Sequence, residues 1–411
     1  VAARDRPNLI RVMPAKGASA AVAAFHAPGA GHAPDVLVVG GGIIGLGVAW
    51  RAAQRGLAVA VADPDPGGGA ARVAAGMLAP VTELQYGEEP LLRLGMASNE
   101  RYAAFAAELT ELTGLDTGYR ATGTLAVALD SDDREELREL HAFHGRLGLA
   151  STWLTGRECR RLEPMLAPGV RGGLHVADDH QVDGRRLAAA LVAACALAGV
   201  VFHRAEAVEL LVEDGRAAGV RLSTGERVAA GRTVLAAGSR SHLLPGLPDG
   251  VLPAVRPVKG QVLRLRMPTA HGPFLSRNVR AVVRGQHLYL VPRADGELVV
   301  GATTEELGHD TTVTAGGVYE LLRDAHELVP GITELPLVET GAGLRPGSPD
   351  NAPLLGPTAL ADLAAATGHY RNGVLLTPVT ADLLADYLAT GELPPLASDF
   401  TPDRFAPKVP A

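Results

Sequence analysis

At 411 residues the chain is long enough for two domains and a large buried core. With 47% apolar and 20% charged residues it has the composition of an ordinary soluble globular protein, and a net charge of −7 argues against nucleic acid as its main partner. Cys159 and Cys195 form neither a CxxC pair nor a metal-ligand spacing, no metal site is expected, and no apolar run approaches the ~20 residues that span a bilayer, so a membrane partner is not expected either.

Residues 1–33 are rich in Ala, Gly and Pro and carry no period, which predicts a disordered tail. The run "ASAAVAAF" is too weak for a secretory signal, and Met13 is an alternative start. The pattern then becomes regular. In "PDVLVVGGGIIGLGVAWRAAQRGLAVAVADP" (Pro34 to Pro64), Val36 to Val39 reads as a strand buried on both faces. A glycine turn, a helix closed by Gly56 and a second apolar run from Leu57 to Ala62 complete a right-handed βαβ unit. Gly40, Gly42 and Gly45 fit GxGxxG after a strand and before a helix. They would serve a tight turn, close approach to a pyrophosphate, and close helix packing, with the helix N-terminus facing the phosphates. Asp63 ends the second strand, where an acid accepts bonds from both ribose hydroxyls; a turn residue before Pro64 is the plain alternative.

"RVAAGMLAP" (Arg72 to Pro80) follows, small enough for backbone to approach a cofactor, with Met77 and Leu78 available to an apolar ring. Asp178, Asp179, His180 and Asp183 look like a metal cluster only superficially, and a solvated loop is expected there. Leu187 to Leu197 predicts a helix. Strands with turns at Asp214-Gly215 and Thr224-Gly225 come next, ending in the buried run "TVLAAGS" (Thr233 to Ser239). Alternating runs between Val255 and Thr304 predict an antiparallel sheet of a different domain. The end of the chain predicts a strand, a glycine-rich turn and a helix closed by Gly391. The order implies interleaved domains: 34–115, 171–248 and 338–395 for the nucleotide, 116–170 and 249–337 for the substrate, and a C-terminal tail over 396–411. Re-entry into the nucleotide fold favours FAD over NAD, because an NAD dehydrogenase needs no such return.

"TGAGLRPGSPDNAPLLG" (Thr340 to Gly356) sets a permanent cation, Arg345, among glycines and leucines. It must reach solvent or meet an anion. A guanidinium can hold a carboxylate through two parallel charge-assisted bonds, and a salt bridge to Glu339 or Asp350 is the alternative.

Taken together, "VVGGGIIG", "AAGMLAP", "PVKGQ", "LYLVPR", "LVVGATTE", "AGLRPGSPDNAPLLG" and "GHYRNGVLLTPVT" resemble the FAD-dependent D-amino acid oxidase superfamily and, within it, the glycine oxidases of thiamine biosynthesis. The resemblance implies an α/β protein, with a Rossmann-like FAD-binding domain interleaved with a substrate domain built on an antiparallel β-sheet. It implies that Ile43 and Ile44 follow the phosphate glycines and that Asp63 and Pro64 sit at the adenosine ribose. Ala75, Gly76 and Met77 would approach the flavin, Val208 would meet adenine through its backbone, and Gly238 would also border the cofactor. His369, Tyr370, Arg371, Asn372, Gly373, Val374 and Leu375 would wrap the flavin's pyrimidine edge. Arg345 matches the arginine that binds the substrate carboxylate, Tyr289 the tyrosine that assists it, and Arg371 a residue whose backbone lies near the substrate nitrogen. His287, two residues before Tyr289, lines the pocket or is a spacer. Gly69, Ala70 and Ala71 depart from the polar residues usual in the family, so side-chain contacts to the pyrophosphate are expected to be missing there, unless Arg72 supplies them.

The implied activity is oxidative deamination of glycine, sarcosine or small D-amino acids to glyoxylate or an α-keto acid, ammonia and hydrogen peroxide, by hydride transfer to flavin N5. Dioxygen would be the acceptor, FAD non-covalent, the location cytoplasmic and the assembly a homotetramer. A D-amino acid dehydrogenase or sarcosine oxidase-like enzyme with another acceptor or substrate is the alternative, and a non-catalytic flavin-dependent binding protein a third reading.

Overall fold

Period-2 alternation and period-3.6 stripes sort the apolar residues into two sheets with separate cores. The computed structural model describes residues 33–268 and 274–406. The expected tail over 1–32 lies outside the described residues.

The first sheet has six strands. In spatial order they are Leu354–Pro357, Leu363–Thr367, Arg232–Leu235, Val36–Val39, Val59–Ala62 and Val201–His203. All neighbours are parallel except the outermost pair formed by Leu354–Pro357. Val36, Val38, Val59 and Val61 point to one face, covered by the helices Ile43–Gln54, Glu89–Thr113, Gly184–Leu197 and Thr377–Thr390. Leu37, Val39, Ala60 and Ala62 point to the other, covered by the small antiparallel sheet Ala207–Glu213, Arg216–Leu222 and Arg227–Ala229. Burial on both faces is why these strands read as unbroken apolar runs.

The second sheet has eight strands. Their order is Leu337–Gly347, Arg256–Arg266, Glu297–Gly301, Gln286–Pro292, Asn278–Val283, Thr124–Ala128, Gly172–Val176 and Thr152–Thr155. It is antiparallel except where Asn278–Val283 runs parallel to Thr124–Ala128. One face, with Leu263, Leu265, Leu288, Leu290, Leu298 and Val300, packs on the helix Ala315–Leu328. The other meets the first domain through Val262, Val291 and Val299 against Ala75, with Val73 and Tyr289 alongside.

The α/β architecture with interleaved domains is as expected, but the boundaries differ. The expected boundaries place Gly172–Val176 and residues 338–347 in the nucleotide domain, yet both pair within the eight-stranded sheet. Their apolar patterns do not say which neighbour they will meet. The C-terminal segment is not a free tail up to residue 406. It forms short turns at Pro395–Phe400 and Pro402–Phe405, buries Ala397 and Phe400 in the first core, and pairs Arg404 with Asp350 at 2.9 Å. Among the described residues, no helix is long and apolar enough to cross a membrane.

Candidate active site

The glycine turn lies at the C-terminal end of Val36–Val39, the edge where open α/β sheets bind ligands. Gly40 has φ +108°, and a Cβ there would stand 2.5 Å from the Ala236 carbonyl oxygen. A Cβ on Gly45 would collide with the Gly40 carbonyl. Gly42, by contrast, caps the helix Ile43–Gln54, and among the described residues, its chain neighbours aside, no heavy atom lies within 4 Å of its Cβ position. Two glycines are therefore required by packing and the third leaves an open cradle at a helix N-terminus, which suits a pyrophosphate. Ile43 is buried and Ile44 half-buried at the start of that helix. One turn further, Gly47 lies against Thr377 and Ala381, which brings the terminal helix close.

Asp63 is half-buried. Its Oδ2 accepts from the Gly41 N–H and its Oδ1 from the Asp65 N–H, both at 2.7 Å. This fixes the carboxylate beside the glycine turn while each oxygen retains a lone pair. Pro64 next to it is exposed. Val208 lies in Ala207–Glu213, where Arg221 pairs with Glu209 and Leu222 with Ala207. It is the extra residue of a β-bulge, so its backbone is out of register with the ladder. Gly238, with φ +57°, opens a short turn, and its carbonyl accepts from the Thr367 hydroxyl at 2.9 Å. Arg72 pairs with Asp65 at 3.2 Å on the exposed surface.

The segment Ala75–Met77 is held by a residue to which the sequence assigned no role. Arg293 is 5% exposed and donates to the Ala75 carbonyl, to Gln181 Oε1 at 2.8 Å and to the Val182 carbonyl at 3.0 Å. Burial pulls its guanidinium down to about 10, still charged at neutral pH. Gly76 has φ +72°, and a Cβ would collide with the Val182 carbonyl. Only glycine fits.

The stretch His369–Leu375 leaves the strand Leu363–Thr367 through a short turn in which Tyr370 has φ +49°. The His369 ring is buried and meets Thr380 Oγ1 at 3.1 Å; burial holds it down at about 3, so it is a neutral strut at physiological pH. Two residues of Glu89–Thr113 pin the rest. Tyr102 donates to the Val374 carbonyl at 3.0 Å and Ser98 to the Leu375 carbonyl at 2.6 Å. Gly373 is half-buried, and Asn372 borders a small cavity with Glu83, Glu88 and Leu375.

Arg345 lies on Leu337–Gly347 opposite Val258. Its Nη1 donates to the carbonyls of Lys259 and Thr303 at 3.3 and 3.2 Å. Among the described residues no carboxylate pairs with it. Glu339 is taken by Arg185 and Asp350 by Arg404, so neither salt-bridge alternative holds. The guanidinium lies flat over Gly260, whose Cβ would stand 2.6 Å from Arg345 Cζ. Tyr289 repeats the device, with its ring over Gly301 and Cε2 2.6 Å from that Cβ position. Burial raises the Tyr289 hydroxyl pKa against the opposing charge of Arg345, so it stays protonated and can donate.

A further group was not legible in the sequence. Arg280 sits directly across from Tyr289 on the neighbouring strand and ion-pairs with Glu83, each about one-seventh exposed. Burial alone would raise the Glu83 carboxyl pKa; the charges of Arg280, Arg371 and Arg345 outweigh it and hold it below the usual range. Arg371 Nε is buried and has no hydrogen-bond partner among the described residues. His287 is exposed, with its pKa lowered by partial desolvation and then by Arg280 and Arg371, so it is neutral near pH 7.

The expected solvated loop at Asp178–Asp183 is instead partly buried. Asp179 is fully buried and accepts from the Thr82 N–H at 2.7 Å and Thr82 hydroxyl at 2.6 Å. Asp183 caps the helix Gly184–Leu197. These carboxylates spend their lone pairs on backbone N–H groups and the Thr82 hydroxyl, and among the described residues no cluster could hold a metal ion.

The sequence matches the family model for FAD-dependent oxidoreductases (DAO) over residues 35–387. The chain belongs to this family. It is 37% identical to the bifunctional protein ThiO/ThiG of Trichormus variabilis over 90% of its own length and 55% of the relative's, so it spans about half of that protein. It is 35% identical to a glycine oxidase of Geobacillus kaustophilus, covering 88% of this chain and 94% of that one. A crystal structure of glycine oxidase from Geobacillus kaustophilus superposes with TM-score 0.84 at 34% identity, over 91% and 99% of the two chains. The family's cofactor is FAD, and the open cradle at Gly42, the fixed Asp63 carboxylate and the glycine-cleared face beside Ala75–Met77 fit it. The cofactor is held non-covalently; Cys159 is buried in the second core, and Cys195 is buried in the first, where its thiol donates to the Leu46 carbonyl.

Proposed function

We propose that this oxidoreductase removes two electrons from the amine of glycine, sarcosine or a small D-amino acid, giving an imine that hydrolyses to glyoxylate or an α-keto acid with loss of ammonia or an amine. The observation that carries the reading is Arg345: a half-buried guanidinium with no carboxylate partner among the described residues, laid on a glycine-floored face beside a protonated tyrosine. When bound, FAD would supply the two-electron acceptor for this oxidation, with dioxygen as the final oxidant and hydrogen peroxide as the product.

The chain's part is binding and orientation. Arg345 and Tyr289 hold the substrate carboxylate through charge-assisted bonds of roughly 1.5–3 kcal/mol each. With the carboxylate fixed, the α-carbon has little freedom, which is the main catalytic requirement of such a step. The amine must be neutral to release hydride. The charges of Arg345 and Arg371 disfavour an ammonium beside them and lower its pKa. His287 near pH 7 adds no charge. The helix beginning at Thr377 directs its positive end toward the His369–Leu375 turn and favours negative charge there. Gly40, Gly42, Gly45, Asp63, Ala75–Met77, Val208, Gly238 and His369–Leu375 are the residues we assign to the cofactor.

A peroxide assay of FAD-loaded protein across glycine, sarcosine, D-alanine and D-proline tests the reading. Peroxide formation with a small amine, abolished in Arg345→Ala while flavin stays bound, is the expected result. Turnover only with an artificial dye would point to a dehydrogenase, and turnover with none of the four would overturn the proposal. The same reading makes the imine a precursor for thiazole synthesis in thiamine biosynthesis, in a cytoplasmic homotetramer; light scattering tests the assembly.

A further inference from the structure

The Glu83–Arg280 pair has no function in the reading so far, yet it is built into the wall of the carboxylate site. Arg280 is the cross-strand neighbour of Tyr289, so their side chains leave the same face of the sheet. Glu83 reaches that face from the segment after Met77–Leu78, a position secured because Asp179 holds both the N–H and the hydroxyl of Thr82. Glu83 and Glu88 also border the small cavity with Asn372 and Leu375, beside Arg371. Three guanidinium groups, those of Arg280, Arg345 and Arg371, thus act on Glu83, and that of Arg371 also acts on Glu88. Among the described residues Glu83 is the ion-pair partner of Arg280, whose charge also acts on the buried Asp179, whereas Arg345 has no carboxylate partner and is left for that of the substrate.

We propose that Glu83 is a specificity-determining residue: by neutralising Arg280 it matches the site to amines with one carboxylate and rejects amines that carry a second. The inference rests on Arg345 as the anchor of the first carboxylate. Removing the Glu83 charge leaves Arg280 unpaired beside Tyr289, where a second acidic group on the substrate would meet it. Removing Arg280 instead leaves Glu83 unpaired and repels such a group.

The test compares iminodiacetate with sarcosine, two N-substituted glycines that differ in the charge of the substituent. The quantity read is the ratio of their kcat/KM values on FAD-loaded protein. In Glu83→Gln the ratio should rise about tenfold or more over wild type, as expected for one unit charge a few ångströms away at low effective dielectric. In Arg280→Gln it should fall. In the double variant it should return near the wild-type value. A ratio unchanged in Glu83→Gln, or raised there and still raised in the double variant, would overturn the proposal. If Glu83→Gln does not retain flavin, Arg280→Gln decides alone, and an unchanged ratio there overturns it. Failure of the underlying reading shows separately, as unaltered sarcosine kinetics in Arg345→Ala.

Discussion

Replacing Gly260 by alanine would disturb the orientation of Arg345 and little else. The new Cβ would lie 2.6 Å from both Cζ and Nη1 of Arg345, far inside van der Waals contact. The obstructing atoms are the mobile end of a long side chain, so the backbone can stay and the guanidinium must swing off the sheet. The folded state loses two long bonds, to Lys259 and Thr303 at 3.3 and 3.2 Å. The guanidinium can recover water in exchange, so the stability cost is expected below about 1 kcal/mol. Function should suffer more. Each charge-assisted bond to the substrate carboxylate contributes roughly 1.5–3 kcal/mol, so losing one lowers kcat/KM about 10- to 150-fold. The assay is oxygen uptake against glycine concentration on FAD-saturated protein, with flavin content and Tm measured on the same sample. The expected pattern is near-normal flavin and Tm with a large loss of kcat/KM. A kcat/KM within about threefold of wild type, in a background where Arg345→Ala is inactive, would show that the flat pose of the guanidinium is not needed.

Three more outcomes follow from the same geometry. Asp63→Ala should weaken FAD binding at least about tenfold, read by flavin fluorescence on titrating the apoprotein, because the ribose hydroxyls lose a charged acceptor; unchanged affinity would return Asp63 to a turn role. Arg293→Met should lower both Tm and flavin retention, since it strips the donor from the Ala75 and Val182 carbonyls and from Gln181. Arg293→Lys should not restore them, because a single ammonium cannot reproduce the fork. Asp179 is raised by burial from 3.8 to about 6, so its neutral form is the one the fold prefers, and its contribution is lost as pH rises from about 4 through 6. Asp179→Asn should therefore gain on wild type by up to about 3 kcal/mol between pH 4 and pH 7 in denaturant titrations; a pH-independent difference would contradict the raised value.

The glycine turn and the strands around it were legible because their requirements are local. A buried parallel strand must be an unbroken apolar run, and a phosphate turn must place glycine where backbone cannot spare a Cβ. Both requirements act between residues a few positions apart, so Val36–Gly45 and Asp63 announce themselves. Arg345 also stood out, as a cation with no local reason to be there. Its meaning depended on partners 42 to 86 residues away, the carbonyls of Thr303 and Lys259, and on Gly260 in the strand alongside. Those glycines read as weak strand positions until the register set one under Arg345 and another, Gly301, under Tyr289. The Glu83–Arg280 pair joins residues 197 positions apart, and Arg293 reaches Ala75 across 218. Side-chain type and short-range spacing carry the first kind of information. Sheet register and the docking of one domain on the other, which no window of sequence contains, carry the second.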